Sequence, residues 1–143
     1  MNYYNSIKEE LINNETYKAV KDYSKNRSDL KTYYNVGKLL SEAGKHYGEG
    51  VIKQYSNYLM KDIGKKYNER TLFRMKQFYT LFSDEKVSPV ATQLTWSHYI
   101  ELLPLKDINK IEYYIRECIT FNLSHNELRE KIKNMKDYPK TQN

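Results

Sequence analysis

Arg70, Arg74 and Gln77 recur at i, i+4 and i+7, which places two guanidinium groups and a carboxamide on one stripe of a helix. Such groups can pair with phosphates or with the edges of bases. Lys65 and Lys66 stand just ahead of that stripe and Lys76 lies within the same segment. Between Val51 and Thr80 there are seven cations (Lys53, Lys61, Lys65, Lys66, Arg70, Arg74, Lys76) against Asp62 and Glu69, a local excess of five positive charges in a chain whose net charge is +6. A concentrated basic field attracts phosphates and steers encounter, whereas scattered lysines mostly confer solubility. The candidate nucleic-acid contacts are therefore Lys65, Lys66, Arg70, Arg74, Lys76 and Gln77. The lysines of the turn are placed to hold phosphates, and the helix residues to reach base edges or further phosphates. An ordinary solvated helix face is the plainer alternative.

Other chemistry finds little support. His46, His98 and His125 fall on three different elements with no carboxylate or cysteine at metal-ligand spacing, so they read as surface histidines and no metal site is expected. Ser97 and His98 are neighbours in a helical pattern and face different directions, which does not suit a nucleophile and its base. Asp84, Glu85 and Lys86 imitate a metal-dependent nuclease site, but they sit in a loop with no strand beneath them and read as solvated. The GKHYGEG segment, Gly44 to Gly50, lacks the ending of a phosphate-binding P-loop. No catalytic residue and no cofactor is expected, and the chain reads as a non-enzyme. Cys118, the single cysteine, lies in an apolar helical pattern, so a reducing cytoplasm is the expected setting. No apolar run is long enough for a membrane span.

The basic stripe needs a helix to carry it. Leu72, Met75, Phe78 and Phe82 supply the opposite, apolar stripe, Asn68 is a good N-cap, and Gly64 suits the C′ position of the preceding helix. The order helix, turn, helix is that of a helix-turn-helix. Ahead of it, Tyr3 to Ile12 reads as a short helix ended by Asn13 and Asn14, with Asn14 capping a second one. A polar turn covers Ser24 to Ser28. Ser28 or Asp29 then opens a helix with Leu30, Tyr33, Val36, Gly37 and Leu40 on one side, stopped by Gly44. Gly37 in mid-helix suggests close approach by another helix, or a merely tolerated glycine. Val51, Ile52, Tyr55, Leu59 and Ile63 mark the helix before the turn.

After the SDEKVSPVATQ connection, Thr95 caps a short helix that Pro104 closes, and Asp107 caps another with Ile111, Ile115, Cys118 and Ile119 inward and Asn122 as terminator. Ser124 and Glu127 form a capping box for a last helix holding Leu128, Ile132 and Met135. Leu39, Leu40, Leu59, Leu72, Met75, Phe78, Trp96, Leu102, Ile115 and Leu128 are expected in the core. No segment alternates as a strand should. The expected fold is all-α: one compact multi-helix domain over residues 1–135 with a helix-turn-helix-like element, and a frayed tail over residues 136–143.

The stretches TYYNVGKLLSEAGKHYGEG, ERTLFRMKQFYTLF, TQLTWSHYIELL and LSHNELREKI resemble the N-terminal domain of the YhcG family of PDDEXK nucleases (domain of unknown function 1016). The likeness runs from about Tyr17 to Ile132. Its most specific parts are Tyr34 with Gly37, the Tyr47-Gly48 pair, Leu72 with Met75 and Phe78-Tyr79, and the run Leu94 to Tyr99. Lys66, Tyr67 and Asn68 replace the family's usual glycine, aromatic and serine, and Leu123 stands where tryptophan is frequent. The resemblance implies a helical domain, inferred to bind DNA, that in the family precedes a nuclease domain not expected within these residues. The leading expectation is a non-catalytic DNA-binding domain. The rival is a protein-interaction module that docks on a nuclease domain or a nucleoprotein complex as partner, regulator or inhibitor.

Overall fold

A computed structural model describes residues 2–20, 25–83 and 94–134. Among them the chain is all-α: α1 (Tyr3–Val20), α2 (Lys25–Tyr47), α3 (Gly50–Asp62), α4 (Glu69–Phe82), α5 (Trp96–Leu102), α6 (Ile108–Phe121) and α7 (His125–Asn134), with a 3-10 turn at Leu103–Leu105. The helices fall into two compact units, Met1–Val90 and Ala91–Asn143. Asp84, Glu85, Lys86, Met135 and the expected tail lie outside the described residues.

In the first unit α2 is the central helix and packs against α1, α3 and α4. Its buried row, Leu30, Tyr33, Val36, Leu40 and Ala43, is the expected stripe extended by one turn. Each fully buried large side chain of this kind contributes about 1.5–3 kcal/mol relative to exposure. Gly37 sits where α2 meets α4. A Cβ built there would lie 2.1 Å from the Met75 carbonyl oxygen and 2.8 Å from Tyr79 Cβ, so the close approach expected from this glycine is real. Tyr34, one turn earlier, packs edge-on against Tyr79 and Phe78, with ring centroids 5.2 and 6.3 Å away.

Several boundaries differ from the sequence reading. Asn13 and Asn14 do not end a helix: α1 runs unbroken to Val20. Asn14 belongs to the buried row Tyr3, Ile7, Leu11, Asn14, and its amide donates to Asp29 Oδ1 of α2 at 2.9 Å. A tertiary partner thus replaces the capping role that the asparagine could have played. Helix α2 opens at Lys25 rather than Ser28 or Asp29 and continues past Gly44 to Tyr47. The stop is Gly48, at φ +88°, whose N–H reaches the Gly44 carbonyl at 2.8 Å.

The second unit is organised by caps that the sequence does reveal. Thr95 caps α5, Asp107 caps α6 through the Asn109 N–H at 2.9 Å, and Asn122 ends α6 in the left-handed conformation. Ser124 and Glu127 form the reciprocal box, with bonds of 2.9 and 3.1 Å. Glu127 holds its carboxyl below the ordinary range because it accepts the Ser124 backbone and hydroxyl bonds. Burial pushes the Cys118 thiol up to about 11, as suits a cysteine in an apolar helix face.

His98 is not a surface residue. It is buried, its Nδ1 accepts the Thr95 N–H at 3.1 Å, and its Nε2 lies 2.8 Å from the Leu123 carbonyl oxygen. The first bond needs Nδ1 unprotonated, so Nε2 carries the hydrogen and donates to Leu123. His98 therefore fills the place that glutamate or glutamine takes in an ordinary capping box and ties α5 to the α6–α7 junction. Trp96 and Leu39 are only half-buried, and Ile119 is 46% exposed. Leu94 and Tyr99, on either side of Trp96 in sequence, take the core positions expected for it.

Candidate nucleic-acid interface

The proposed contacts depend on how α4 and the turn before it are held. Helix α4 begins as the sequence implies, with Asn68 Oδ1 accepting the Thr71 N–H at 3.0 Å, and its stripe of Leu72, Met75, Phe78 and Phe82 is buried. Gly64 follows the C-cap Ile63 and sends its N–H to the Leu59 carbonyl at 3.1 Å, so it does occupy C′. It does so without the positive φ usual for a C′ glycine. The connection spans Ile63 to Asn68, longer than the three to four residues of a DNA-binding helix-turn-helix.

Tyr67 anchors this long connection. Its ring is buried, its carbonyl oxygen accepts from Ser56 Oγ at 3.0 Å, and its hydroxyl donates to Glu15 Oε1 at 2.7 Å. Burial first, and the Glu15 carboxylate second, raise the phenol well above its ordinary range. A second brace sits at the end of α3. Asp62 accepts hydrogen bonds from Tyr4 and Lys8 of α1, and the Tyr4 bond in particular keeps its carboxyl below the usual range. The turn is thus fixed to α1 at two points, over 50 residues away in sequence.

These braces divide the six candidate residues. Lys66 makes an ion pair with Glu15 and lies over the Tyr67 ring, 5.2 Å from its centroid. Lys76 is three-quarters buried along its side chain and points toward Glu49, 3.9 Å away. At about 100° per residue it is also some 120° around α4 from Arg70. Neither lysine is available as the window count implied, because Glu15 and Glu49 lie outside the window. Lys65, Arg70 and Arg74 make no ion pair or hydrogen bond among the described residues, and Lys65 and Arg70 are exposed. Gln77 is half-buried beside them.

One residue of this face escaped the sequence reading. Phe73 is 40% exposed, i+3 from Arg70 and i−4 from Gln77. Arg70 and Gln77 form the ends of a diamond on the helix surface, and Phe73 and Arg74 sit across its middle. The signal was present, since Phe73 falls outside the apolar stripe that its neighbours Leu72 and Met75 define.

Among the described residues no group of three or more histidines, cysteines, aspartates or glutamates could hold a metal ion, and no helix is long and apolar enough to cross a membrane. What remains is a helical module presenting a basic helix on a braced turn. The chain belongs to the DUF1016 N-terminal domain family, the N-terminal domain of YhcG-like proteins, whose model matches residues 7–138. That family usually has a separate nuclease domain. Comparison with curated proteins and with solved structures gives no match. The motifs that carry the family likeness have structural duties here. Tyr34 and Gly37 seat α2 on Met75, Phe78 and Tyr79 of α4, and Thr95 and His98 build a helix cap. They account for the fold.

Proposed function

We propose that the chain is a non-catalytic DNA-binding domain whose contact surface is the exposed face of α4 and the turn before it, acting in the cytoplasm beside a nuclease. Lys65 neutralises backbone phosphate, while Arg70, Arg74 and Gln77 reach further phosphates or base edges. The observation that carries this reading is the pair of arginines on a helix whose other side is locked into the core and whose N-terminal turn is pinned to α1. Arginines with no partner among the described residues have no carboxylate to leave when they engage an anionic ligand, and a rigid support spares the cost of ordering the backbone. Lys66 and Lys76 are secondary, since each must first leave a carboxylate.

That ranking gives the test. Arg70→Ala with Arg74→Ala should weaken binding to a labelled DNA at low salt by tenfold or more, taking roughly 1 kcal/mol per lost charged contact. Lys66→Ala with Lys76→Ala should weaken it much less, although the same formal charge is removed. Both variants should keep the parent's helical circular dichroism, and binding is compared well below both melting transitions, because Arg74 and Lys76 are half-buried and their truncation also removes some packing. Equal losses in the two double variants would mean that net charge, and not this face, governs binding.

A protein-interaction role, with the chain docking as partner, regulator or inhibitor of a nuclease or nucleoprotein complex, has one observation in its favour. Tyr3 and Tyr4 of α1, His46 and Tyr47 of α2, and Tyr55 and Tyr58 of α3 make ring contacts at centroid distances of 5.5–6.3 Å, and Tyr47 and Tyr58 are exposed. Exposed tyrosines are frequent anchors of protein interfaces. Binding through them would resist added salt, whereas binding through the arginines would not.

A further inference from the structure

We infer that Phe73 makes the α4 face a reader of unpaired bases, so that the ligand is single-stranded DNA or a duplex carrying an unpaired segment rather than an intact duplex. The inference rests on the proposed DNA-binding role and names its substrate class. Phe73 is 40% exposed although Leu72, Met75, Phe78 and Phe82 of the same helix are fully buried, so a large part of its ring is left open to a ligand. Its neighbours on the diamond are Arg70 and Gln77 along its own row and Arg74 across from it, and neither arginine has a partner among the described residues.

The chemistry of a phenyl ring selects among nucleic acids. It has no donor or acceptor, so against the grooves of a regular duplex it can touch only a thymine methyl group, or else wedge open a base step at a cost of a few kcal/mol. An unpaired base offers its whole face at no such cost, and stacking of an aromatic side chain on a base is both favourable and tolerant of sequence. Arg70 lies one turn before Phe73, and Arg74 lies beyond Arg70 on the same side, about 6 Å further along the helix axis, so the two guanidinium groups can meet backbone phosphates on one side of a stacked base. Aromatic stacking within a positively charged groove is the common design of single-strand recognition.

The test compares three fluorescein-labelled probes of one mixed sequence: a single strand, its blunt duplex, and a duplex with an unpaired fork. The parent should bind the single strand and the fork more tightly than the blunt duplex. Phe73→Ala should lose roughly five- to a hundredfold in affinity for the first two, the loss expected for one stacked base. Its salt dependence should stay that of the parent, because a phenyl ring releases no counterions. Phe73→Trp should retain or improve binding. If Phe73→Ala binds all three probes like the parent while Arg70→Ala with Arg74→Ala does not, the base-stacking inference fails and the DNA-binding face stands. Equal loss on the blunt duplex and the single strand overturns it as well, in favour of a groove wedge. If the parent binds none of the probes, the inference and the function it rests on fail together.

Discussion

Gly37→Val should unfold the first unit or leave it marginal. The Cβ added at this position would lie 2.1 Å from the Met75 carbonyl oxygen and 2.8 Å from its carbon, both backbone atoms of α4 that cannot swing aside. Overpacking of a core by side-chain atoms alone costs typically 1–3 kcal/mol. Here α2 and α4 must separate, which also loosens Tyr34 against Phe78 and Tyr79, so a loss above about 3 kcal/mol is expected. That is a large part of the roughly 5–15 kcal/mol that holds a domain folded. Even Gly37→Ala should destabilise, although alanine is favoured over glycine in an open helix by about 1 kcal/mol. Gly64→Ala is the control. A Cβ there meets nothing within 4 Å and the backbone has no positive φ, so this change should be neutral or slightly stabilising, by about 0.4–1 kcal/mol. Urea midpoints followed by circular dichroism would separate the three variants. A Gly37→Val protein as stable as the parent would show that the two helices do not cross so closely.

Tyr67→Ala should have the second-largest effect. Removing a fully buried aromatic ring costs about 3–5 kcal/mol, and here it also releases the Glu15 hydrogen bond that pins the α3–α4 connection to α1. The variant should therefore lose stability and, where still folded, nucleic-acid affinity, since Lys65 lies within that connection and Arg70 just beyond it. Tyr67→Phe keeps the ring and should cost on the order of 1 kcal/mol, because Glu15 is partly exposed and retains Lys66. The two also differ at alkaline pH. A phenol whose native pKa is raised contributes stability that is fully present below its unfolded value of about 10. That stability is lost as pH rises further, because the unfolded chain then binds fewer protons than the native one. Tyr33, raised mainly by burial and then by Asp29 and Glu15, acts in the same direction. As pH rises above about 10 the parent should therefore lose stability, and Tyr67→Phe should lose less of it. An identical slope in both proteins would mean that Tyr67 titrates as an exposed phenol.

Much of this architecture was legible in the sequence because it is local. Leu72, Met75, Phe78 and Phe82 announce the buried side of α4 by spacing, and Asn68, Thr95, Asp107, Asn122 and the Ser124–Glu127 box mark helix ends through bonds to residues two to four positions away. Local rules failed where a distant partner decides. Asn14 would cap a helix on its own, but Asp29 recruits its amide. Gly44 would stop a helix, but α2 continues over it to Gly48. His98 looks like any surface histidine until the Leu123 carbonyl, 25 residues on, is placed beside it.

The candidate site follows the same division. The arginine row of α4 could be read from periodicity, whereas the loss of Lys66 to Glu15, 51 residues away, could not. A charge count over a window treats every lysine as free. Only the tertiary fold shows which positive charges already have carboxylates, and of the candidate cations it sets Lys66 and Lys76 apart from Lys65, Arg70 and Arg74. Trp96 errs the other way: as the first residue of α5 it is half-exposed, and its size alone suggested the core.

The most direct test of the central claim is the salt dependence of DNA binding, measured on the parent and on the double arginine variant with the same labelled probe. Each phosphate contact releases condensed counterions, giving a log-log slope of roughly −0.9 per contact on duplex and −0.7 on a single strand. With Lys65, Arg70 and Arg74 engaged, the parent slope should be about −2 to −3. Arg70→Ala with Arg74→Ala should flatten it by about 1.4 to 1.8 at unchanged helicity. An unchanged slope in the variant, or a parent that binds no DNA at low salt, would contradict the assignment of this face to nucleic acid.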